Sequence, residues 1–547
     1  MPTLDFKGKQ FVYAHHLTVP FRQMNIDAKK SLPKDGKASL DDNLIIHGDN
    51  LHALKALLPV YAGKVDCIFI DPPYNTGNEG WCYNDSVNAP LMREWLKDSA
   101  NPVDKEDLER HDKWLCMMWP RLALLRELLA EGGVLFVTID HNEQHRLREI
   151  LDELFGEDCF VASIAWQKRT SPEARKRLGP AHDTIHVYSK RPNSTSLSKL
   201  QLSEEQINEF ANPDNDSKGD WTSTDLTAQN IDPSKRKDQQ YKITLPGGEK
   251  VGPPPGRCWS MLEPEFLKKK ADGRIWFGAK GDARPRIKTY LEESGGVSSW
   301  TWWPNEEVGH NQEAKKEILQ ILGPENPFDY PKPVRLLTRI LELSTEKDSI
   351  VLDSFAGSGT TAHAVLAMNK RDKGNRKFIL VETEDYANKL TAERVRRVIK
   401  GVKDAKDDDL KKGLGGSFTF CELGEEINIE NLLRGERLPS YDELARYAFY
   451  TATGQTLDKV KHGADFLVGE TADYRVHVIY QPDTHFLRSQ ESALNMPLAE
   501  RISKSVDDGK KVALVFATHK FMGQKELREM GIVYCQLPYA IHRVIGD

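Results

Sequence analysis

From residue 41 to about 190, short unbroken hydrophobic runs alternate with amphipathic stretches. Leu44–Ile46, Val65–Ile70 and Val134–Ile139 read as buried strands, and Phe160–Trp166 and Thr184–Tyr188 as two more. Helices are predicted over about Asn50–Leu58, Lys113–Ala130 and Glu143–Phe155. Such alternation implies a parallel sheet with helices on both faces. The same rhythm resumes near residue 327 and runs to about 402, with strands Ser349–Asp353 and Lys377–Glu382 around a helix from about Ala362 to Met368. Neither piece buries a core alone, so the two are expected to share one sheet. The expected fold class is α/β, a doubly wound, mostly parallel sheet.

Three stretches depart from this rhythm. Residues 1–40 are polar with little periodicity and read as an N-terminal arm. Residues 193–325 are polar and rich in glycine and proline, as at Leu245-Pro246-Gly247-Gly248 and Gly252-Pro253-Pro254-Pro255-Gly256, and read as an insertion. After the charged linker Lys403–Lys412, apolar runs at Val476–Tyr480, Val512–Phe516 and Ile532–Cys535, with helices near Tyr441–Tyr450 and Leu498–Val506, predict a smaller α/β domain. The expected organisation is an arm (1–40), two halves of one core (41–192 and 326–402), an inserted region (193–325) and a C-terminal domain (403–547).

A length of 547 residues suits two or three domains. With 39% hydrophobic residues and no apolar run approaching a membrane span, a soluble protein is expected, without a secretory signal. Seven cysteines stand singly, with no Cys-x-x-Cys pair, which argues against zinc and disulfides and for a reducing cytoplasm. His141 and His145, four residues apart, read as a polar helix start rather than a metal site, and no metal is expected.

Candidate chemistry concentrates at Asp71-Pro72-Pro73-Tyr74, directly after the run Val65–Ile70. Each proline fixes its own φ and lacks an N–H, and the residue before a proline is pushed out of the helical region. The corner stays extended and leaves the Pro72 carbonyl without a helical partner. A carboxylate, a free carbonyl and a ring together suit a flat base with an exocyclic amino group. That nitrogen is a poor nucleophile because its lone pair is delocalised into the ring. Acceptors holding both hydrogens favour a pyramidal nitrogen able to attack a methyl sulfonium. Taken alone, Asp-Pro-Pro-Tyr is equally a strand-ending turn.

A second signal follows Ser349–Asp353: Ser354-Phe355-Ala356-Gly357-Ser358-Gly359-Thr360-Thr361, then a helix. Strand, glycine turn and helix N-terminus bring backbone close to a nucleotide cofactor, and Glu382, ending the next strand, is placed to hold ribose hydroxyls. The glycines by themselves do not choose between a dinucleotide and S-adenosyl-L-methionine; the proline corner favours the methyl donor. No G-x-x-x-x-G-K-[ST] loop occurs, which argues against ATP hydrolysis.

With these motifs stand Ile46-His47-Gly48-Asp49-Asn50-Leu51, Asn75-Thr76-Gly77-Asn78, Gly273-Arg274-Ile275-Trp276-Phe277-Gly278, Arg284-Pro285-Arg286-Ile287-Lys288, Val308-Gly309-His310-Asn311-Gln312-Glu313-Ala314 and Asp329-Tyr330-Pro331-Lys332-Pro333. Over about residues 40–400 the chain resembles permuted (beta-class) DNA adenine-N6 methyltransferases, and more narrowly the Mod subunit of type III restriction-modification systems. The resemblance implies a Rossmann-like methyltransferase core with S-adenosyl-L-methionine as cofactor and double-stranded DNA as substrate. Asp71, Pro72, Pro73 and Tyr74 correspond to the target-base site. Asp353, Phe355, Ala356, Gly357, Ser358, Gly359 and Thr360 correspond to the donor loop, joined by Asp71, and Glu382 to its ribose acid. Asp49 corresponds to a residue near the donor's adenine, with a helix N-cap as its other reading. Lys332 corresponds to the segment closing over the methionine end, with a surface lysine as its other reading. Asp before Pro-Pro-Tyr favours adenine N6; cytosine N4, or a DNA-specificity module with little turnover, are the alternatives. The family also implies a homodimer and a restriction (helicase/nuclease) subunit as partner, with the C-terminal domain in assembly or as a stabilising appendage.

A net charge of −6 hides local excess. One basic stripe contains Lys168, Arg169, Arg175, Lys176 and Arg177, and a second contains Arg284, Arg286 and Lys288. They are candidate DNA phosphate contacts, with a solvated charged face as the lesser reading. The insertion is the expected target-recognition region, with Gln229, Asn230, Arg236 and Lys237 as candidate base readers. Extruding the target base costs about a few kcal/mol; Tyr74 is expected to stack on it, and Asn75–Asp85, with Gly77, Gly80 and Trp81, to form a mobile lid.

Overall fold

The computed structural model describes residues 3–537, apart from 34–35, 77–109, 172–176, 195–196, 230–235, 326–327, 429–430, 432–437 and 506–510. The lid expected over Asn75–Asp85, with Gly77, Gly80 and Trp81, therefore lies outside the described residues from position 77 on, as do Arg175, Lys176 and Asn230.

The chain divides into two compact units: residues 1–198 with 301–547, and Lys199–Trp300. In the first, ten described strands make one sheet: β1 (Arg22–Ile26), β2 (Leu44–His47), β3 (Val65–Ile70), β4 (Leu129–Ile139), β5 (Phe160–Gln167), β6 (His182–Ser189), β7 (Trp302–Trp303), β8 (Ile350–Asp353), β9 (Lys377–Glu382) and β10 (Thr419–Glu426). Their spatial order is β1-β10-β2-β9-β8-β3-β4-β6-β5-β7. The six pairings β10–β2, β2–β9, β9–β8, β8–β3, β3–β4 and β5–β7 are parallel, and the pairings at β1, β4–β6 and β6–β5 are antiparallel. The two halves expected to combine do so directly, with Val351 opposite Cys67 and Leu352 opposite Ile68. Chain order reverses between β3 and β8, because β3 is followed outward by β4 and β8 outward by β9. In open α/β sheets the crevice beyond the strand C-termini at such a point is where ligands bind.

Continuous hydrophobicity produced these strands. Leu44, Ile45, Ile46, Ile68, Ile70, Val351, Leu352 and Val381 are all solvent-free, as a sheet covered on both faces requires. Helices Asn50–Tyr61 and Arg110–Leu128 cover one region of it, packing against each other.

Two organisational expectations are corrected. Residues 1–40 are not a detached arm: β1 lies in the sheet, paired antiparallel with β10, and Phe6, Val12, Val19 and Phe21 are buried. These apolar residues are too widely spaced to show a period, yet each meets the core. The C-terminal region does not begin as a separate domain at 403, because β10 inserts between β1 and β2. Its Phe420 and Cys421 are fully buried, and its ladder continues the parallel pairing of β2. Beyond it, a four-stranded sheet of Leu467–Glu470, Tyr474–Val478, Val512–Ala517 and Ile532–Gln536 forms, with helix Tyr441–Thr453 packing against both Tyr474–Val478 and Asn50–Tyr61. Phe21 meets Tyr447 edge-on at 5.0 Å, joining the N-terminal segment to that helix.

The unit Lys199–Trp300 is built from short antiparallel strands, among them Trp221–Asp225 and Arg286–Tyr290, and helix Glu263–Ala271. Its small core contains Leu226, Ile243, Leu245, Trp259, Met261, Phe266, Ile275 and Phe277. No helix among the described residues is long and apolar enough to cross a membrane.

Candidate active site

Strand ends converge on one cavity of about 830 Å³ in the larger unit. Asp71 follows β3, Asp353 ends β8, Glu382 ends β9, and Asp140 follows β4; all four line it. Because β6 runs antiparallel, its beginning lies at the same edge and delivers Asp183.

At the proline corner, Pro72, Pro73 and Tyr74 also line the cavity. The Pro73 carbonyl accepts the Trp114 indole N–H at 2.7 Å. Beyond Tyr74 the chain turns through Asn75, buried and left-handed at φ 56°, whose amide donates to Glu143 at 2.6 Å. Tyr74 donates its hydroxyl to Asp71 at 2.9 Å and lies 3.3 Å from Asp183. Burial, followed by the charges of Asp183 and Asp71, pushes the Tyr74 hydroxyl well above its ordinary value, so it remains protonated. Lys332 donates to the other oxygen of Asp71, with its ammonium 5.3 Å from the Tyr74 ring centre. Lys332 is 9% exposed, so it is not a surface lysine.

In the turn after β8, Gly357 and Gly359 adopt φ values of 50° and 77°, favoured by glycine. A Cβ on Gly357 would approach Phe328 to 3.1 Å, and one on Gly359 would approach the Thr391 carbonyl to 3.2 Å. Glu382 accepts the Gly357 N–H at 2.6 Å and the Glu384 N–H at 3.0 Å. Asp353 accepts the Phe355 N–H at 3.0 Å and the Thr361 hydroxyl at 2.5 Å. Burial pushes both carboxyls up to about 7, against these stabilising hydrogen bonds. Thr360 donates to the Lys332 carbonyl at 3.1 Å, so Lys332 contacts both the glycine turn and the proline corner.

Two observations test whether a nucleoside-bearing cofactor fits here. Ser354, also lining the cavity, has a buried hydroxyl with no hydrogen-bond partner among the described residues. Gly357 on the cavity wall has a positive φ and little space for a Cβ beside Phe328, so its backbone faces the cavity without a side chain, and the acid Glu382 ends the next strand. A ligand rich in hydroxyls and amines meets this donor and acceptor set.

The sequence-derived residues mostly meet here: Asp71, Pro72, Pro73, Tyr74, Lys332, Asp353, Phe355, Ala356, Gly357, Ser358, Thr360 and Glu382 share the cavity wall. Gly359 sits behind it as the cap of helix Thr360–Asp372. Asp49 is not among the cavity-lining residues: its carboxylate caps helix Asn50–Tyr61, accepting from Leu51 at 2.9 Å and His52 at 3.3 Å, and pairs with Arg121 at 3.5 Å. Asn50 lines the cavity instead.

The basic candidates separate. Lys168 bonds buried Asp183 at 2.5 Å and lines the cavity together with the exposed Arg169. Arg177, Arg284 and Arg286 are exposed, although Arg286 also donates to Ser223 at 2.7 Å. Lys288 is corrected: it is 4% exposed, donates to Asp214 and Asp216, and lies 4.8 Å from the Trp221 ring centre, so it is structural. Asp183, Phe328 and Tyr386 line the cavity without having been singled out from sequence, and Tyr330, quoted there only within a motif, lines it too. Asp183 had a signal: a lone acid opening an apolar run, as at the other strand ends.

A family model described as DNA methylase matches residues 65–393. The chain belongs to the DNA methylase family. The Mod subunit of the type III restriction-modification enzyme StyLTI from Salmonella typhimurium is 38% identical over 83% of this chain and 67% of its own length. The Mod subunit of EcoPI from Escherichia phage P1 is 28% identical over 78% of this chain and 73% of its own. A type II methyltransferase, M.KpnI from Klebsiella pneumoniae, is 28% identical over 66% of this chain and 84% of its own. The family match spans both the proline corner and the glycine turn. Among the described residues no group of three or more His, Cys, Asp or Glu could hold a metal.

Proposed function

We propose that this methylase transfers a methyl group from S-adenosyl-L-methionine to the N6 amino group of adenine in duplex DNA, as the modification subunit of a restriction-modification system. One observation carries the reading: the proline corner and the glycine turn leave neighbouring parallel strands and line one cavity. When bound, S-adenosyl-L-methionine supplies a methyl group on a positively charged sulfur. Glu382 and Ser354 are the side chains that would meet its hydroxyls, with Gly357 on the wall and Gly359 shaping the turn behind it.

Asp71 and the Pro72 carbonyl act on the base. Together they accept the two amino hydrogens, favouring a pyramidal nitrogen with an available lone pair. The corner is held for this by Trp114 and by the Asn75–Glu143 bond, so its geometry is set before the base arrives. Reaching the amino group requires extruding the base from the duplex. Arg169, Arg177, Arg284 and Arg286 are the described exposed cations we assign to phosphates, with Gln229, Arg236 and Lys237 as base readers.

The names of the Salmonella and phage relatives support assembly with a restriction subunit. Self-association rests on the family resemblance alone. The test is a filter assay with radiolabelled donor and mixed-sequence duplex DNA, followed by digestion to nucleosides. Label in N6-methyl-2′-deoxyadenosine supports the reading; label in N4-methyl-2′-deoxycytidine moves the target, and DNA retention without label replaces the enzyme with a specificity module.

A further inference from the structure

In the resting site Asp71 is already engaged at both oxygens. Tyr74 donates to one at 2.9 Å and Lys332 donates to the other. The role assigned to Asp71 requires it to accept from the incoming amino group, and a phenol on the same oxygen weakens that acceptance. A tyrosine hydroxyl has one hydrogen to give.

A second acceptor stands ready for it. The nearer oxygen of Asp183 lies 3.3 Å from the Tyr74 hydroxyl. Its other oxygen is taken by Lys168 at 2.5 Å, which fixes the carboxylate's rotation. Asp183 is 2% exposed, and its backbone is set by β6, where Asp183 pairs with Trp166 and the adjacent Thr184 with Ile139. A side chain placed by a central strand and fixed by a buried ion pair is positioned to within a fraction of an ångström. Nothing in the transfer chemistry itself calls for a second carboxylate beside Tyr74.

We propose that Asp183 is a positioning residue that takes the Tyr74 hydroxyl when the base enters, releasing Asp71 to accept the amino hydrogen. Only a hydrogen bond changes partner: the phenol keeps its proton, and rotation about the phenolic C–O bond redirects it. This rests on the methylation reading and specifies how its base site is made ready.

A double-mutant cycle with steady-state methylation tests it. Asp183→Leu removes the acceptor and is expected to lower kcat about tenfold, the size of one hydrogen bond to a charged group, with the donor KM unchanged. Asp183→Asn keeps an acceptor oxygen and is expected to retain kcat within about threefold. In a Tyr74→Phe background there is no hydroxyl to relocate, so Asp183→Leu is expected to cost less than about twofold further. Losses that simply multiply would overturn the proposal and leave Asp183 as a direct base contact or a partner for Lys168. Donor binding, measured in parallel, reports folding; should Asp183→Leu not bind donor, Asp183→Ala is read in the same way. Wild-type protein leaving no label in DNA would contradict the methylation reading, whereas wild-type transfer with multiplying losses contradicts only the role of Asp183.

Discussion

Trp114 donates its indole N–H to the carbonyl of Pro73 at 2.7 Å, tying the proline corner to the helix Arg110–Leu128. Proline supplies no N–H of its own, so the corner has few backbone bonds and depends on side chains such as this one. Trp114→Phe preserves most of the apolar contact and removes the donor. We expect a stability loss of about 1–2 kcal/mol, with kcat falling more than donor affinity. Denaturant unfolding and single-turnover methylation measure the two.

Glu382 gives a pH signature. Burial raises its carboxyl to about 7 from an ordinary 4.5, so between those values the folded protein binds a proton that the unfolded chain releases. Its contribution to stability is therefore full below about 4.5 and fades as pH rises through about 7. Glu382→Gln, neutral throughout, is expected to melt higher than the wild type at pH 8 and to lose that advantage toward pH 5. Asp353, shifted in the same direction, leaves a residual slope in the variant. Thermal melts of the donor-free protein across this range test the expectation.

Gly359→Ala places a Cβ 3.2 Å from the Thr391 carbonyl at a residue with φ 77°. Backbone strain of this kind costs about 1–3 kcal/mol. The expected outcome is lower stability in denaturant together with weaker donor binding, because the residue begins helix Thr360–Asp372 immediately behind the turn.

Lys288 distinguishes a structural cation from a phosphate contact. Lys288→Ala removes the cation between Asp214 and Asp216 and its packing on Trp221, with an expected loss of about 1–3 kcal/mol. The slope of DNA affinity against salt is expected to stay unchanged, whereas Arg284→Ala reduces it by about one unit.

The sequence was most legible where one physical demand dominated. Doubly buried strands such as Val65–Ile70 announced themselves through unbroken apolar runs, and the proline corner and glycine turn through residues whose backbones have few options. Legibility failed where partners come from far along the chain. Nothing local in Arg22–Ile26 tells that Thr419–Glu426 will pair with it, nearly 400 residues later. Lys288 and the exposed Arg284 look alike in a charge count; only folding reveals the two aspartates around the first. Asp49 follows a strand as a ligand-binding acid would, and its capping of the next helix fits that position equally well. Asp183 escaped notice because its strand runs against the others, so the start of the strand rather than its end reaches the cavity.

The central claim is that Asp71 acts on the base while the glycine turn holds the donor. It is tested most directly by Asp71→Ala, assayed in parallel for donor binding by equilibrium dialysis and for label transfer to duplex DNA. We expect donor affinity within about threefold of wild type and transfer reduced by at least about a hundredfold, the scale of a lost transition-state contact. Transfer at the wild-type rate, or equal loss of binding and transfer, would contradict the division of labour between the two sides of this cavity.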